Sequence, residues 1–161
     1  MHKAIWVMDI EASGLSPASY PIEVGMFNGQ REYQQLISPA PSWTHWNPSS
    51  EQLHGIARTQ LHSEGISPLM VAGALNSMLG ASTVFSDHGD WDGFWLQQLF
   101  DSAGIKRTFS IADITTLLDT RQMETFAAAL DKLRDTGHYR VHRALDDARA
   151  IHRAVACALS S

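Results

Sequence analysis

The chain of 161 residues is long enough for one domain with a substantial core and short for two, so we expect residues 1–161 to form a single domain. Its 44% apolar and 18% charged residues are typical of a soluble globular protein, and no segment has the length of a membrane span. The first apolar run is too brief for a signal peptide, and the single Cys157 excludes an internal disulfide. We therefore expect a cytoplasmic protein without a membrane partner. The net charge of −5 does not by itself indicate nucleic-acid binding.

The first forty residues predict three strands. Residues 4–10 form a run that is apolar except for Asp9, which is typical of a buried central strand. Residues 21–27 and 30–37 flank Asn28-Gly29, a dipeptide that favours a type I′ hairpin turn, so we expect antiparallel pairing. A loop rich in proline and serine follows, and a short helix is expected to begin at about residue 49 or 50.

Helices and strands alternate in the rest of the chain. Ser67 as N-cap, Pro68 in the first turn and a terminal Gly80 predict a helix over 67–80. The later segments are expected as a strand over 82–88, a helix over 91–104, a strand over 107–114, and helices over 123–137 and 143–159. This order predicts an α/β fold with a mixed central sheet of about five strands, the first three antiparallel, flanked by helices.

Two acidic residues stand where the first predicted strand ends, in the stretch WVMDIEASGL. Residues two apart on a strand face the same side, so Asp9 and Glu11 point together. At such a short distance, two carboxylates repel each other and raise each other's pKa unless a cation lies between them. The pair therefore indicates either a strand end that runs into solvent or half of a metal site, and the spacing alone leaves both open.

A second group of acids lies in SDHGDWDGFWL, where a short strand gives way to an aromatic-rich helix. Asp92 has mostly apolar neighbours and is expected at the edge of the core rather than on the open face. Asp87 and Asp90 fall in the glycine-containing loop before it. They are interpreted as a turn residue and a helix N-cap.

The last helix supplies a further acid. Projected at 3.6 residues per turn from Ala144, this helix has a buried stripe that Asp147 borders, so Asp147 is the candidate functional acid. Asp146 lines up with Arg149 on the polar side and is interpreted as a surface ion-pair residue. His142 precedes Asp147 by five residues, so it must lie before the helix or in its first turn to reach the same site.

Four carboxylates and a histidine suit a pair of divalent cations. Mg²⁺ and Mn²⁺ prefer oxygen ligands, and two such ions about 4 Å apart stabilise both the attacking and the leaving oxygen of an in-line phosphoryl displacement. A neutral histidine, with an ordinary pKa of about 6.5, can take the proton from an attacking water. The sequence therefore predicts two divalent cations, Mg²⁺ or Mn²⁺, as cofactors.

Three motifs carry a family resemblance, namely DIEASGL at 9–15, WDGFWL at 91–96 and HRALDDA at 142–148. In that order they resemble the exonuclease motifs of the DEDDh 3′→5′ exonucleases, a group that includes the proofreading exonuclease subunit of bacterial replicases, ribonuclease T and oligoribonuclease. The resemblance implies a ribonuclease H-like fold. It also implies that Asp9, Glu11, Asp92 and Asp147 are metal ligands and that His142 is the general base.

The resemblance further implies how a nucleic-acid terminus would bind. The turn after the first acid pair matches the family's turn that supplies backbone groups and an apolar wedge to the terminal nucleotide. Its residues are therefore candidate substrate contacts: Ala12, Ser13, Gly14 and Leu15. A plain strand-exit turn is the alternative for Gly14 and Leu15. In LHGI at 53–56, His54 lies where the family approaches its substrate.

Two features of the sequence leave alternatives open. Asp87-His88-Gly89 stand where the family commonly has a His-Asn pair before a small residue, so His88 either supports Asp92 or faces solvent. Trp43 and Trp46, in the proline-rich loop, either stack on bases or, as is more common for such residues, cover the core.

The function implied is a 3′→5′ exonuclease that hydrolyses single-stranded DNA or RNA from the 3′ end to nucleoside 5′-monophosphates. A catalytically silent relative that binds nucleic acid as an adaptor and a ribonuclease H-like endonuclease are the alternatives. The sequence does not separate DNA from RNA, because that choice depends on contacts to the 2′-hydroxyl. A homodimer is compatible with the sequence, but no self-complementary face indicates one.

Overall fold

The computed structural model describes residues 4–161, and a five-stranded mixed sheet forms the centre of this part of the chain. Its strands are β1 (Trp6–Ala12), β2 (Pro21–Phe27), β3 (Glu32–Leu36), β4 (Thr83–Ser86) and β5 (Ser110–Asp113), in the spatial order β3-β2-β1-β4-β5. β2 pairs antiparallel with both β1 and β3, whereas β4 lies parallel to β1 and β5 parallel to β4. The predicted sheet is therefore confirmed, including its three antiparallel strands.

The helices flank this sheet. They are α1 (Pro48–His54), α2 (Arg58–Glu64), α3 (Pro68–Leu79), α4 (Gly89–Ala103), α5 (Thr120–Asp135) and α6 (Ala144–Leu159). The sequence predicts one short helix where the structure has both α1 and α2. Gly55, with a φ of 69°, ends α1, and α2 has only seven residues and no side-chain N-cap bond within residues 4–161, so it lacks the usual sequence signals. No helix in this described range is long and apolar enough to cross a membrane.

The first hairpin forms as predicted, but its turn differs. The Asn28 N–H donates to the Arg31 carbonyl at 3.1 Å, so Gly29 and Gln30 are the central residues. A type I′ turn needs positive φ at both central positions, and of these two described residues Gly29 alone has it, at 95°. The type I′ prediction is therefore wrong. The Asn28 side chain fixes the turn instead, because its Oδ1 accepts the N–H groups of Gln30 and Arg31 at 3.0 and 2.7 Å.

The start of α4 also differs from the prediction. The helix begins at Gly89, with His88 at the N-cap position, so Asp90 lies inside the first turn. The interpretation of Asp90 as the N-cap is therefore wrong. An early acid still favours this helix, because the N-terminus of a helix carries a partial positive charge.

Side chains of β1 alternate between two cores, one on each face of the sheet. Met8 and Ile10 pack with apolar residues of α3 and α4, whereas Val7 packs with those of α5 and α6. Asp9 and Glu11 lie two and four residues beyond Val7 and share its face. They therefore point to the side of the sheet that α6 covers.

Candidate metal centre and active site

The acidic residues meet at one edge of the sheet, where β1 and β4 end and α4 and α6 begin. These strand ends are adjacent because β1 and β4 are parallel. A cleft of about 470 Å³ opens at this edge. It is lined by five residues that the sequence analysis singled out as candidate ligands and base: Asp9, Glu11, Asp92, His142 and Asp147.

The two β1 carboxylates are strongly affected by burial. Asp9 is 8% exposed, and its Oδ2 has no hydrogen-bond partner within residues 4–161. Burial, reinforced by the charge of Asp92, raises the pKa of Asp9 well above its ordinary value. Burial and the charge of Asp147 raise the pKa of Glu11 to about 8. Holding both groups ionised at neutral pH therefore requires a nearby cation.

Asp92 is held by a serine that the sequence analysis did not single out. Ser86, at the end of β4, donates a short hydrogen bond from Oγ to Oδ2 of Asp92, and the same Oγ accepts the His88 N–H at 3.0 Å. Burial raises the pKa of Asp92, which is 1% exposed, and the bond from Ser86 opposes that rise. Ser86 therefore supports Asp92, while the His88 side chain is 73% exposed and faces solvent.

Asp147 lies in the first turn of α6 and is tied to the loop that carries His142. The His142 N–H donates to Oδ2 of Asp147 at 2.9 Å. His142 has a φ of 63°, a left-handed conformation that is uncommon for a residue with a side chain. Burial raises the pKa of Asp147 to about 6, and desolvation together with Arg134 lowers the pKa of His142. The imidazole of His142 is therefore neutral at neutral pH, which is the form that a general base needs.

Asp146, the neighbour of Asp147, has a different role. Its Oδ2 accepts the Arg140 N–H at 2.9 Å, and its Oδ1 lies 3.3 Å from a guanidinium nitrogen of Arg149. This is the surface ion pair that the helix projection predicted.

The start of α6 is fixed by contacts with β2. Glu23 accepts hydrogen bonds from Nε and Nη2 of Arg143 at 3.1 and 2.7 Å, and from the Ala144 N–H at 2.9 Å. Gly25, two residues along β2, allows the helix to approach closely. A Cβ there would lie 2.3 Å from the backbone nitrogen of Leu145. In the β1–β2 pairing, Glu23 lies opposite Glu11 and Gly25 lies opposite Asp9. The contacts of α6 with β2 therefore place Asp147 beside the β1 acids.

Two groups of side chains in the cleft could each hold a metal ion, since the donor atoms in each group lie within 4.8 Å of one another. The first group is Glu11, His142 and Asp147, and the second is Asp9, Asp87 and Asp92. One carboxylate oxygen on each of Asp9, Asp87 and Asp147 is buried without a hydrogen-bond partner in the described part of the chain. Buried polar atoms are normally partnered, so these oxygens fit hard divalent cations, which take carboxylate ligands.

The four residues predicted to contact a nucleotide lie at the end of β1, where Ala12 is the last strand residue, and in the turn that follows. Ala12 and Ser13 are buried, and Ser13 is fully engaged within the protein. Its backbone bonds Tyr20 and Asn47, and its Oγ contacts His45 and accepts the Tyr20 N–H. Leu15 is 72% exposed and lines the cleft. The apolar wedge implied by the resemblance therefore corresponds to an exposed side chain at the mouth of the site.

Gly14 is required by close packing in this turn. A Cβ at Gly14 would lie 2.6 Å from Cε1 of His45 and 2.9 Å from Cβ of Asn47. The loop before α1 therefore passes directly over Gly14, and this arrangement brings Leu15 to the edge of the cleft.

His54 lies beside this turn. It is 3% exposed, its Nδ1 accepts the Ile56 N–H at 3.0 Å, and burial lowers its pKa. The proton of the neutral ring therefore belongs on Nε2, which is buried without a partner within residues 4–161. His54 is one of the residues that line a second, adjoining cleft, together with Leu15 and His142.

The two tryptophans of the proline-rich loop serve as packing residues in this structure. Trp43 is buried and stacks on Tyr20 with ring centroids 5.3 Å apart. Trp46 is half-buried and meets His54 edge-on at 5.8 Å. The common interpretation, in which such a tryptophan covers the core, is therefore confirmed for Trp43.

Three residues in or directly behind the cleft were missed or interpreted differently in the sequence analysis. Asp87 does lie in the predicted turn, but its side chain lines the cleft beside Asp9. Its position directly after a strand parallel to β1 is a signal that could have identified it. Ser86 precedes it and could have been found in the same way. Arg134, with Nη2 at 3.9 Å from Oδ1 of Asp147, comes from α5, and no local pattern indicates it.

Comparison with known proteins gives matches in structure. No protein-family model matches the chain, and no curated protein matches it significantly in sequence. The zinc-bound complex of E. coli exonuclease I with single-stranded DNA aligns with 99% of this chain at a TM-score of 0.74 and 13% identity, over 41% of that protein. The structure of the same enzyme with a dA16 oligonucleotide aligns with 94% of this chain at a TM-score of 0.71 and 14% identity, over 40% of that protein. A moderately thermophilic exonuclease I from Methylocaldum szegediense aligns with 98% of this chain at a TM-score of 0.73 and 16% identity, over 40% of that protein.

These matches define the fold class. The mixed five-stranded sheet with its flanking helices is the ribonuclease H-like exonuclease fold of these proteins, as the sequence predicted. The chain spans about two-fifths of the length of the exonuclease I proteins that it matches. At this level of sequence identity the similarity is one of fold, and the chemistry has to be argued from the cleft.

Proposed function

We propose that this protein is a metal-dependent 3′→5′ exonuclease of the DEDDh type, with residues 1–161 acting as a single exonuclease domain. Asp9, Glu11, Asp92 and Asp147 would bind two divalent cations, Mg²⁺ or Mn²⁺, and His142 would be the general base. The observation that carries the proposal is the convergence of these side chains in one cleft, with buried carboxylate oxygens that lack partners in residues 4–161. Burying a group of ionised carboxylates without cations costs free energy of folding.

The proposed substrate is the 3′ end of single-stranded DNA or RNA. Support for a single-stranded substrate comes from the fold neighbours, which include exonuclease I complexes with single-stranded DNA. In this chain the exposed Leu15 would pack against the terminal base, with Ala12 and Gly14 in the wall of the adjoining cleft. Ser13 would hold this segment in place through its backbone bonds to Tyr20 and Asn47. The Nε2–H of His54 would donate to a sugar or phosphate oxygen.

The residues of the cleft would have separate roles in hydrolysis. His142 would take a proton from the attacking water, whose oxygen bonds to the terminal phosphorus while the bond from phosphorus to the preceding 3′ oxygen breaks. Cations bound to the carboxylates would stabilise the negative charge on the attacking and leaving oxygens. The leaving 3′ oxygen would take a proton from solvent water, so the products are a nucleoside 5′-monophosphate and a chain one nucleotide shorter with a free 3′-hydroxyl.

The test is a degradation assay with the purified full-length chain and MgCl₂ or MnCl₂. The substrates are 5′-labelled DNA and RNA oligonucleotides of matched sequence and several lengths. We expect a ladder that shortens from the 3′ end and releases mononucleotides, and no activity with EDTA. Asp9→Asn should abolish activity, whereas Asp101→Asn, which changes an exposed acid at the far end of α4, should not.

Two further substrates separate the alternatives. A blocked 3′ end should protect a linear substrate from this enzyme, and a circular single strand should remain intact. Cleavage of the circle would instead support a ribonuclease H-like endonuclease. Binding of oligonucleotides without hydrolysis under any of these conditions would favour a silent adaptor and overturn the proposal.

A further inference from the structure

A third acid lies beside Asp9 and Asp92 in the cleft and has no place in the four-carboxylate set. Asp87 directly follows β4, and because β4 is parallel to β1 its end is adjacent to the β1 acids. One carboxylate oxygen each of Asp9, Asp87 and Asp92 lies within 4.8 Å of the other two. This is the spacing of atoms that share one cation.

Two of these three acids, Asp9 and Asp87, have a buried oxygen that no hydrogen bond stabilises within residues 4–161. Asp9 lines the cleft and is 8% exposed, and its Oδ2 is buried without a hydrogen-bond partner among residues 4–161. Oδ1 of Asp87 is likewise buried and unpartnered in that range. The basic side chains that act on Asp87 are the ring of His88, at 3.9 Å and 73% exposed, and the guanidinium of Arg134. Three carboxylates at this distance repel one another unless a divalent ion lies between them.

A purely structural role for Asp87 is poorly supported. An acid just before a helix commonly caps it by accepting a backbone N–H. The N-cap position of α4 belongs to His88, and α4 has no side-chain cap bond within the described residues. The side chain of Asp87 is 14% exposed, so it has given up most of its hydration without gaining such a bond.

We infer that Asp87 is a fifth carboxylate of the metal centre, which binds one cation together with Asp9 and Asp92. This inference deepens the proposed function and depends on its metal centre. It makes the two cation positions unequal. The Asp9–Asp87–Asp92 position offers three carboxylates, whereas the other position offers two, Glu11 and Asp147, with Arg134 at 3.9 Å from Asp147. The three-carboxylate position should therefore bind its ion more tightly and fill first.

In the experiment, the metal-free protein is titrated with MnCl₂ in the absence of nucleic acid, and calorimetry measures the heat of binding. The wild-type protein should show a tight and a weak class of Mn²⁺ sites. Asp87→Asn, which keeps the size of the side chain, should weaken the tight class at least tenfold, since even residues behind the ligands commonly change metal affinity by about 10–100-fold. Asp90→Asn changes an exposed acid three residues away and should leave both classes unchanged.

Circular dichroism would show that each variant is folded, and Asp87→Ser provides a second substitution that is also compatible with a turn. Equal Mn²⁺ affinity in the wild-type protein and in folded Asp87→Asn or Asp87→Ser would overturn the inference, even if the protein is an exonuclease. Loss of the tight class in these variants, in a protein that degrades no oligonucleotide, would support the inference and count against the proposed function alone.

Discussion

Glu23 and Arg143 form a two-point ion pair that joins β2 to the start of α6. The side chain of Glu23 is 1% exposed and that of Arg143 is 20% exposed, with the closest contact at 2.7 Å. Glu23 also accepts the Ala144 N–H and so caps the helix from the neighbouring sheet. Since Asp147 lies one turn further along α6, this pair positions a candidate metal ligand.

We expect Glu23→Ala to reduce the free energy of unfolding by about 3 kcal/mol, because removing one partner leaves the other charge poorly solvated. Urea denaturation measures this loss. Glu32→Ala is the matched control, since it breaks an ion pair of Glu32 with Arg149 whose side chains are 44% and 35% exposed, and should cost less than about 1 kcal/mol. An equal decrease in the free energy of unfolding for the two variants would contradict the prediction that the pair of Glu23 stabilises the protein more than the pair of Glu32.

Gly25 should tolerate no larger side chain. A Cβ would lie 2.3 Å from the carbonyl carbon of Ala144 and from the nitrogen of Leu145, and backbone atoms cannot move aside as a flexible side chain can. Gly25→Ala should therefore destabilise the protein by about 2 kcal/mol or more and displace α6. Gly73→Ala, in α3, has no described heavy atom within 4 Å and should instead stabilise by about 0.5–1 kcal/mol. The two variants are compared by thermal unfolding.

The sequence predicts most of the sheet and the principal acids because those features have local signals. The apolar run of β1, the spacing of Asp9 and Glu11, and the helical projection that separates Asp147 from Asp146 depend on a few consecutive residues. The antiparallel start of the sheet follows from such signals, whereas the spatial order of the five strands was not predicted. The failures at the Asn28 turn and the N-terminus of α4 are local as well, since turn type and cap position each depend on one or two dihedral angles.

Contacts between distant segments were not predictable in this way. Arg134 approaches Asp147 from another helix, and Glu23 is 120 residues from Arg143 in sequence. The left-handed conformation of His142 depends on the Asp147 carboxylate that accepts its N–H. These features arise from packing, which periodicity does not describe.

Ser86 provides a test of how Asp92 is held. Its hydroxyl donates to Asp92 and opposes the rise in the pKa of that carboxyl, so Ser86→Ala should make Asp92 harder to ionise. We expect the affinity for Mn²⁺ to fall by about 10–100-fold, as measured by calorimetry. Thr83→Ala, at the exposed start of the same strand, should leave the affinity unchanged. An unaltered affinity in Ser86→Ala would show that the serine is dispensable.

His142 should affect the chemical step more than binding. His142→Gln should lower kcat by about 10²–10⁴-fold, and Asp147→Asn should lower it further because the cation charge is also lost. The pKa of His142 is lowered by desolvation and Arg134, so the wild-type rate should fall with decreasing pH only below about 6.5. With MnCl₂ at a concentration that saturates the carboxylates at every pH, this acidic limb should be absent in His142→Gln. His138→Gln, an exposed histidine on the same loop, should change neither kcat nor the pH profile.

The stability of the metal-free protein should decrease as the pH rises from about 7 to about 8.5. Burial and Asp147 raise the pKa of Glu11 from 4.5 to about 8, and the pKa values of Asp9 and Asp92 are raised as well. In this window the folded state holds more protons than the unfolded state, so the free energy of unfolding falls with pH. The lowered pKa values of His54 and His142 act in the opposite direction, but their effect is mostly complete by pH 7 because unfolded histidine titrates at about 6.5.

Thermal unfolding with EDTA at several pH values measures this dependence. Mn²⁺ binds the ionised carboxylates, so it should raise Tm more at about pH 8.5 than at about pH 6. Glu11→Gln removes one titrating group and should make the metal-free Tm less dependent on pH, whereas Asp90→Asn should preserve the wild-type slope. A metal-free Tm that rises between about pH 7 and about pH 8.5 would show that these carboxylates are ionised in the folded state without a cation.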